Sequence, residues 1–302
     1  MKTKQIITML LWVTCPGWVL AQDFSEKITR EFTFEKKGTN NTILLANING
    51  DIKITGYEGD KILLEVNKKV TAKTQERLEK GKKEIQLGVI DRADTLIFYV
   101  EGGCNNFGKL NSRNNRHDDR QEGWGYNWND CNGRGNNCRT EYDYTMDFVL
   151  KVPASVNLLL STVNDGDITV QNMKGAVNAN NINGSIKLSN LVREVKASTI
   201  NGDVDIDYAH NPDKASRFYT LNGDINANFQ KGLGASMSFE SFNGSLYTNI
   251  DQLEALPVLL EKEQKGDGIK YKVNGNRFKV GRGGVVLDFE TFNGNVYVKE
   301  KN

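Results

Sequence analysis

The sequence predicts an all-β protein, a single-stranded β-solenoid (β-helix) with coils of about 18–21 residues, one short helix and an Asn/Gly-rich loop insertion. Three observations predict it. A short Asn-Gly phrase recurs along the chain, its spacing matches one solenoid coil, and apolar residues alternate on both sides of it. The composition agrees, because 38% of the 302 residues are hydrophobic and 29 Gly stand against 4 Pro, which suits a folded chain that turns often.

The repeated phrase has the form apolar-Asn-Gly-polar-apolar. It begins with Ile48-Asn49-Gly50-Asp51-Ile52, and residues 163–168 form a copy with one extra residue. Gly166, Gly184, Gly202, Gly223 and Gly244 are separated by 18, 18, 21 and 21 residues, a period too short for a propeller blade. The expected ladder of turns comprises Asn183, Gly184, Asn201, Gly202, Asn222, Gly223, Asn243, Gly244, Asn293 and Gly294.

Apolar residues recur at positions −6, −4, −1, +3 and +5 counted from the Asn. One copy shows the pattern with Val195, Ala197, Ile200, Val204 and Ile206. Alternation of this kind is typical of a strand with one buried face, and Asn-Gly favours a tight turn. Each coil is therefore expected to be strand, corner, strand, with all five apolar rows in a continuous core. The Asn side chains are expected to stack and to bond to one another along the screw.

A family resemblance follows from this phrase. The motif [Ser/Thr]-apolar-Asn-Gly-Asp-apolar, preceded by the strand from Tyr144 to Pro153 and by residues 158–163, resembles the exported putative-adhesin family of unknown function. The resemblance covers roughly residues 30–100 and 142–300. It implies a single-stranded β-solenoid and an adhesin-like role, and it implies no catalytic residue.

The N-terminus is typical of a secretory signal peptide. Lys2 and Lys4 precede an apolar run from Ile6 to Val13, and Ala21 ends a short cleavage region. The domains are therefore expected to be a signal peptide at 1–21 and an adhesin-like solenoid at 22–302. The protein is expected to be exported to the periplasm, the cell surface or the medium. A lipoprotein anchored through Cys15 is the weaker alternative, because Trp12, Val13 and Thr14 precede it where small residues are wanted.

Several segments depart from the repeat. Residues 74–84 are charged and favour a short surface helix, and Leu253 to Lys265 is expected to be irregular. Asn274-Gly275 suggests a β-hairpin between Lys270–Val273 and Phe278–Val280, with a degenerate coil as the alternative. Further strands are expected at Lys61–Val70, Ile85–Ile90 and Thr95–Val100.

The largest departure, residues 101–141, is expected to be a surface loop. Within it Trp124, Tyr126 and Trp128 alternate with other residues, so an extended segment would place three rings on one face. Such a row stacks on sugar rings or fills a partner's groove. The favoured alternative is that the rings fold down and cover the flank of the solenoid.

Other side chains are candidates for a disulfide or a metal site. Cys131 and Cys138 are candidates for a disulfide, with Cys104 left over. Asp203, Asp205 and Asp207 lie opposite Val204 and Ile206 and could bind calcium. The favoured alternative is a solvated strand face whose corner aspartates accept N–H bonds. No cofactor is expected, and a zinc site is disfavoured because Cys-x-x-Cys is missing.

The function expected is that of a non-catalytic, adhesin-like binding or scaffolding protein of the cell envelope. The two histidines, His117 and His210, lie beside no nucleophile motif, so an enzyme is not expected. An envelope-stress or sensor accessory protein and a polysaccharide-active β-helix enzyme are the alternatives. Charge is balanced, with 39 Lys and Arg against 38 Asp and Glu, which gives no drive toward nucleic acid. The partner is not identified; a glycan or an envelope protein is left open. The strand Val296 to Lys299 is expected to be an uncapped edge that permits end-to-end self-association.

Overall fold

The computed structural model describes residues 22–36, 38, 40–102, 106–109, 124–127, 140–257, 260–265, 268–273 and 276–301. The predicted signal peptide, Cys15, Cys104, Cys131, Cys138, His117 and Trp128 lie outside these residues. The described chain forms 25 strands and one helix. Most strands belong to two large mixed sheets, mostly parallel, that form a β-solenoid-like stack.

The elements before the main run of repeats are nine strands and the helix. They are β1 (Gln22–Thr33), β2 (Thr42–Ala46), β3 (Ile52–Tyr57), β4 (Lys61–Ala72), α1 (Gln75–Glu84), β5 (Gln86–Asp91), β6 (Thr95–Glu101), β7 (Asn106–Lys109), β8 (Trp124–Asn127) and β9 (Tyr142–Pro153). The predicted helix and the three strands around it are confirmed. Thr74 caps the helix, since its hydroxyl accepts a bond from the Arg77 N–H. Leu78, within the helix, is buried.

Strand pairs flanking the Asn-Gly corners follow in the middle of the chain. They are β10 (Asn157–Ser161), β11 (Ile168–Met173), β12 (Val177–Asn180), β13 (Ile186–Leu191), β14 (Val195–Asn201), β15 (Val204–Tyr208), β16 (Ser216–Asn222), β17 (Ile225–Phe229), β18 (Ala235–Asn243) and β19 (Leu246–Thr248). Even-numbered strands here join one sheet and odd-numbered strands the other. Each corner therefore carries the chain from one sheet to the other.

The C-terminal part holds the remaining strands. They are β20 (Leu253–Leu256), β21 (Leu260–Lys265), β22 (Gly268–Val273), β23 (Asn276–Val280), β24 (Val285–Asn293) and β25 (Val296–Glu300). The prediction of an irregular segment at 253–265 is wrong, because it contains β20 and β21. The predicted hairpin around Asn274-Gly275 is also wrong: β22 pairs with β21, while β23 pairs antiparallel with β18 and β20. β23 lies instead between β18 and β20, next to the end of the eleven-stranded sheet.

The order of strands in the two sheets differs from their order in the sequence. The ten-stranded sheet runs β1-β4-β9-β3-β11-β13-β15-β17-β25-β19, and the eleven-stranded sheet runs β20-β23-β18-β24-β16-β14-β12-β10-β2-β6-β5. The corner at Asn293 therefore lies between the corners at Asn222 and Asn243. The expectation that Val296 to Lys299 forms an uncapped edge is wrong, because β25 pairs with β17 on one side and β19 on the other.

The coil formed by β24 and β25 can lie between two others because all repeats carry the same pattern of apolar residues. Asn293 aligns with Asn222 in one neighbour and with Asn243 in the other, so both pairings match every apolar position. Local sequence therefore specifies register but not coil order. The coil formed by β24 and β25 separates two coils that are consecutive in the sequence.

The core lies between the two sheets. Val195, Ala197, Val204 and Ile206 are at most 1% exposed, which confirms the rows at −6, −4, +3 and +5. The prediction that the −1 row is buried is wrong for most copies, because Ile200 is 38% exposed. Strand alternation continues up to the corner, so position −2 points inward and −1 points outward. Thr199, at −2, is fully buried.

A buried lysine lies at the helix end of the stack. The Lys68 side chain is 1% exposed, and its Nζ donates to the Lys82 carbonyl oxygen at 2.9 Å and lies 3.7 Å from the Glu26 carboxylate. Burial lowers the pKa of Lys68 below its usual value, against the opposing effect of Glu26. The charged form is therefore disfavoured in the folded state relative to the unfolded state.

We expect this lysine to make stability rise with pH. Because the folded-state pKa is the lower one, the unfolded chain binds more protons just below pH 10.5, and the burial penalty is relieved as pH rises through that window. Thermal unfolding of the wild type and of Lys68→Met between pH 7 and pH 10 tests this. The stability of the wild type relative to Lys68→Met should rise toward alkaline pH. A difference that stays constant with pH would contradict this.

In the described residues no helix is long and apolar enough to cross a membrane.

Candidate functional site

An exposed apolar row runs along the outer side of the eleven-stranded sheet, next to the corners. We call it the apolar row. It consists of the residues that directly precede the Asn of each corner. In the order of the strands across the sheet these are Ile48, Val163, Ile182, Ile200, Leu221, Phe292 and Phe242. Exposure rises toward one end, where Phe292 is 44% and Phe242 73% exposed. Their rings stack with centroids 4.8 Å apart and an interplanar angle of 4°. A contiguous apolar strip of this kind is typical of an interaction surface.

The Asn side chains of the corners form one continuous hydrogen-bonded ladder, as predicted. In each step an Nδ2 group donates to the Oδ1 atom of the preceding corner. Two consecutive steps, Asn201 to Asn183 and Asn222 to Asn201, measure 2.8 and 2.9 Å. The ladder then runs from Asn293 to Asn222 and from Asn243 to Asn293, at 2.8 and 2.9 Å. Because donors and acceptors all point the same way, the ladder has a direction and ends on an acceptor at Asn243.

A second ladder links the polar residue that follows each Gly. The backbone N–H of Asp224 donates to Asp203 Oδ1 at 2.8 Å, and that of Asn295 donates to Asp224 Oδ1 at 2.7 Å. The same bond joins Ser245 to Asn295 and Ser185 to Asp167. Asp, Asn and Ser at this position therefore share one role, which is to accept an N–H bond from the neighbouring coil.

The buried hydroxyl at −2 and the Gly complete the corner. Thr199 Oγ1 donates to the Gly184 carbonyl oxygen at 2.8 Å, and Thr220 Oγ1 makes the same bond to Gly202. The Gly N–H donates in turn to the Asn carbonyl of the next coil, as from Gly202 to Asn222 at 3.0 Å. Sequence reasoning placed the apolar −1 residue inside and missed this role. The signal was present, since position −2 is Thr, Ser or Asn in every copy.

A hairpin from the insertion covers one end of the apolar row. Strands β7 and β8 pair antiparallel, and Tyr126 packs with Ile48 and Ala46 in a small buried cluster. The Tyr126 hydroxyl accepts a bond from the Val100 N–H at 2.9 Å and lies 3.0 Å from the Ala46 carbonyl oxygen. Burial raises the pKa of Tyr126 well above its usual value. This ring therefore covers the flank of the stack, as the favoured alternative expected.

The structure describes one of the two tryptophans of the predicted aromatic row, Trp124, which is not buried as Tyr126 is. Trp124 is partly exposed; its ring stacks on Phe107 at 6.0 Å, and the Arg92 guanidinium lies 4.9 Å from the ring centre. Trp128 lies outside the described residues. A sugar-binding role for Trp124, Tyr126 and Trp128 stays a prediction, with Trp124 the only one of the three that the described part of the chain shows partly open to solvent.

The aspartates considered for calcium have other partners. Asp203 Oδ1 accepts the Asp224 N–H, Asp205 Oδ1 accepts from Asn226 Nδ2 at 2.8 Å, and Asp207 pairs with Lys301. Among the described residues no group of three His, Cys, Asp or Glu side chains could hold a metal ion. Calcium binding by Asp203, Asp205 and Asp207 stays a prediction, as does the Cys131–Cys138 disulfide.

A shallow cleft of about 370 Å³ lies at the opposite corner of the stack. Its walls include Tyr57, Glu58, Met173, Lys174 and His210. Lys174 Nζ is paired with the Glu58 carboxylate, and both side chains are more than half exposed. His210 and this solvated ion pair therefore line the same cleft.

Comparison with known proteins gives structural likeness alone. No protein-family model and no curated protein matches this chain. A solved protein described as a putative cell adhesion protein from Clostridium sporogenes is 11% identical, with 91% of this chain and 100% of that chain covered and a TM-score of 0.40. A putative adhesin from Bacteroides fragilis is 12% identical, with 91% and 97% covered and a TM-score of 0.35.

A third solved structure, described as a putative lipid binding protein from Parabacteroides distasonis, is 9% identical, with 91% and 97% covered and a TM-score of 0.25. At these scores the likeness is one of general shape, and no ligand or activity is carried over. The expected resemblance to putative adhesins is confirmed as a structural similarity over most of the chain.

Proposed function

We propose that this chain is an exported, non-catalytic binding protein of the cell envelope, built as a single-stranded β-solenoid with coils of about 18–21 residues. The observation that carries the proposal is the open end of the apolar row. Leu221, Phe292 and Phe242 lie on three adjacent coils with no covering element among the described residues, whereas Ile48 at the other end is covered by Tyr126. One end of the apolar row is thus covered by the Tyr126 ring of the chain itself. The other end is exposed and can bind a partner.

The stack suits such a role because it is held along its whole length. Ladders of Asn, polar and Thr side chains fix each corner to the next, so the row is presented by a rigid support. Large exposed aromatics on a rigid surface are the residues that contribute most to binding energy. Secretion is supported by the N-terminal sequence. The role without catalysis is supported by the sequence around His210, which carries no nucleophile motif.

Retention of the purified mature chain on washed cell envelopes tests the proposal. The double variant Phe242→Ser and Phe292→Ser is expected to lower the retained fraction about tenfold, because two exposed rings are removed. Leu63→Ser with Val149→Ser is the matched control, since both lie exposed on the ten-stranded sheet at 37% and 38%. Equal retention of both variants would contradict the proposal, and so would release of reducing sugar from envelope glycans by the wild type.

A further inference from the structure

The stack ends at the Asn243-Gly244 corner. An inner corner has a neighbouring coil on both sides, whereas this corner has one on a single side. β18 and β19 pair with β24 and β25 on their inner sides. On the outer side β23 pairs only with Ala235 to Phe239. Among the described residues no strand pairs with the outer edge of residues 241–248. This edge is called here the open corner.

The inner corners show which groups the open corner offers. Except at Gly166, whose corner has one extra residue, each inner Gly N–H donates to the next Asn carbonyl. Each +3 N–H donates to the next +2 carbonyl, as from Val296 to Ser245 at 3.0 Å. The donors that the pattern leaves at the open corner are therefore the N–H groups of Gly244 and Leu246. The acceptors are Asn243 Oδ1, the Gly244 carbonyl oxygen and Ser245 Oγ, which correspond to atoms that accept bonds at the inner corners.

The open corner also lacks the devices that protect sheet edges. Residues 241–249 contain no charged residue and no proline. The edge strand at the opposite end of the ten-stranded sheet, β1, carries Asp23, Glu26, Lys27, Arg30 and Glu31. Charges on an edge prevent pairing with other chains, and an uncharged edge permits it. Phe242 and Tyr247 are both exposed here, and each stacks on its counterpart in the coil behind, Phe292 and Tyr297.

We propose that the open corner binds an extended segment of another protein that carries the phrase Thr-apolar-Asn-Gly-polar-apolar, which adds as one more parallel coil. The segment's Asn Nδ2 donates to Asn243 Oδ1, its Thr hydroxyl donates to the Gly244 carbonyl oxygen, and its Asn carbonyl accepts the Gly244 N–H. Its apolar residue before the Asn stacks on the free face of Phe242. This is strand addition to a sheet edge, with side-chain ladders providing specificity.

A second copy of this chain does not provide that segment. At the other end of the stack, the Asn49 carbonyl is occupied by the Met146 N–H at 2.9 Å, and β9 closes the corner. Two open corners placed end to end would set one Asn243 Oδ1 acceptor against the other, so the Asn ladder could not continue from one copy into the next. The partner is therefore a different chain.

A peptide with the sequence of residues 287–300 provides a probe, because that segment already occupies an equivalent place between two coils. Labelled peptide titrated onto the full mature chain should bind saturably, with a Kd on the order of 10–100 μM for so short a strand. The amides of Gly244 and Leu246 should become protected from hydrogen exchange. The same peptide with Asn293→Leu and Gly294→Val should bind at least tenfold more weakly.

Protein variants locate the site. Ser245→Lys adds a charge to the open corner and is expected to weaken peptide binding at least tenfold, whereas Ser25→Lys adds the same charge to β1 and should leave it unchanged. Binding that survives Ser245→Lys, equal binding of both peptides, or no binding at 1 mM peptide would overturn the proposal. A dimer in sedimentation of the chain alone, lost in Ser245→Lys, would also overturn it by making a second copy the partner.

Discussion

Replacement of Gly202 by alanine is expected to destabilise the protein by about 3 kcal/mol, although it adds a single methyl group. A Cβ atom at this position would lie 2.3 Å from the Gly184 carbonyl oxygen and 2.6 Å from its carbon. Backbone atoms of the neighbouring coil cannot move aside without breaking the bonds from Thr199 and Asn201 that flank them. The clash therefore separates two coils at the corner.

Thermal unfolding measures this effect. The midpoint of Gly202→Ala should fall by roughly 6–12 °C for a chain of this size. Gly108→Ala is the matched control, because a Cβ atom there meets no atom within 4 Å. A midpoint for Gly202→Ala within 2 °C of the control would show that the coils do not approach as closely as described, since about 1 kcal/mol shifts the midpoint by 2–4 °C.

Truncation of Phe289 to alanine is expected to cost about 3–5 kcal/mol and to loosen two coils rather than one. Phe289 is 1% exposed and stacks on Phe218 with centroids 5.0 Å apart. It aligns with Phe218 on one side and with Phe239 on the other. Because the coil of Phe239 reaches the rest of the stack through the coil of Phe289, the cavity weakens the attachment of both.

Hydrogen exchange resolves this by position. In Phe289→Ala the amides of residues 235–248 and 285–300 should lose protection together, while those of residues 177–208 stay protected. Val195→Ala, in the neighbouring −6 core row of an inner coil, serves as the control. Loss of protection at 285–300 alone would contradict the inserted position of the last coil.

Much of the fold was predictable because the repeat specifies register. Val204 and Ile206 alternate with Asp205 and Asp207, which is sufficient to assign the buried face of that strand. The Asn ladder was predictable for the same reason, since Asn183 and Asn201 occupy one position in consecutive copies. The helix followed from charge and propensity, and Thr74 caps it.

The parts that could not be predicted depend on contacts between distant residues. The phrase around Asn293 fits beside Asn222 and beside Asn243 equally well, so the pattern holds no information on coil order. The outward direction of Ile200 does not follow from its apolar character, because strand alternation and not hydrophobicity decides which face a side chain lies on. The packing of Tyr126 on Ile48 joins residues 78 positions apart in the sequence, which no local pattern reveals.

The inserted coil of β24 and β25 leaves the Asn243 corner open and places Phe242 at the end of the apolar row. Disulfide cross-linking measures the position of this coil directly in a chain whose Cys104, Cys131 and Cys138 are replaced by serine. Aligned residues on neighbouring parallel strands lie about 4.8 Å apart, within reach of a disulfide, whereas residues two strands apart lie about 10 Å apart and out of reach.

Tyr219 and Glu240 both align with Glu290, from opposite sides. The structure predicts that Glu290→Cys cross-links with Tyr219→Cys and, in a separate variant, with Glu240→Cys. It predicts no cross-link between Tyr219→Cys and Glu240→Cys. A cross-link between those last two, without one between Tyr219→Cys and Glu290→Cys, would mean that the coils stack in sequence order, and the open corner at Asn243 would not exist.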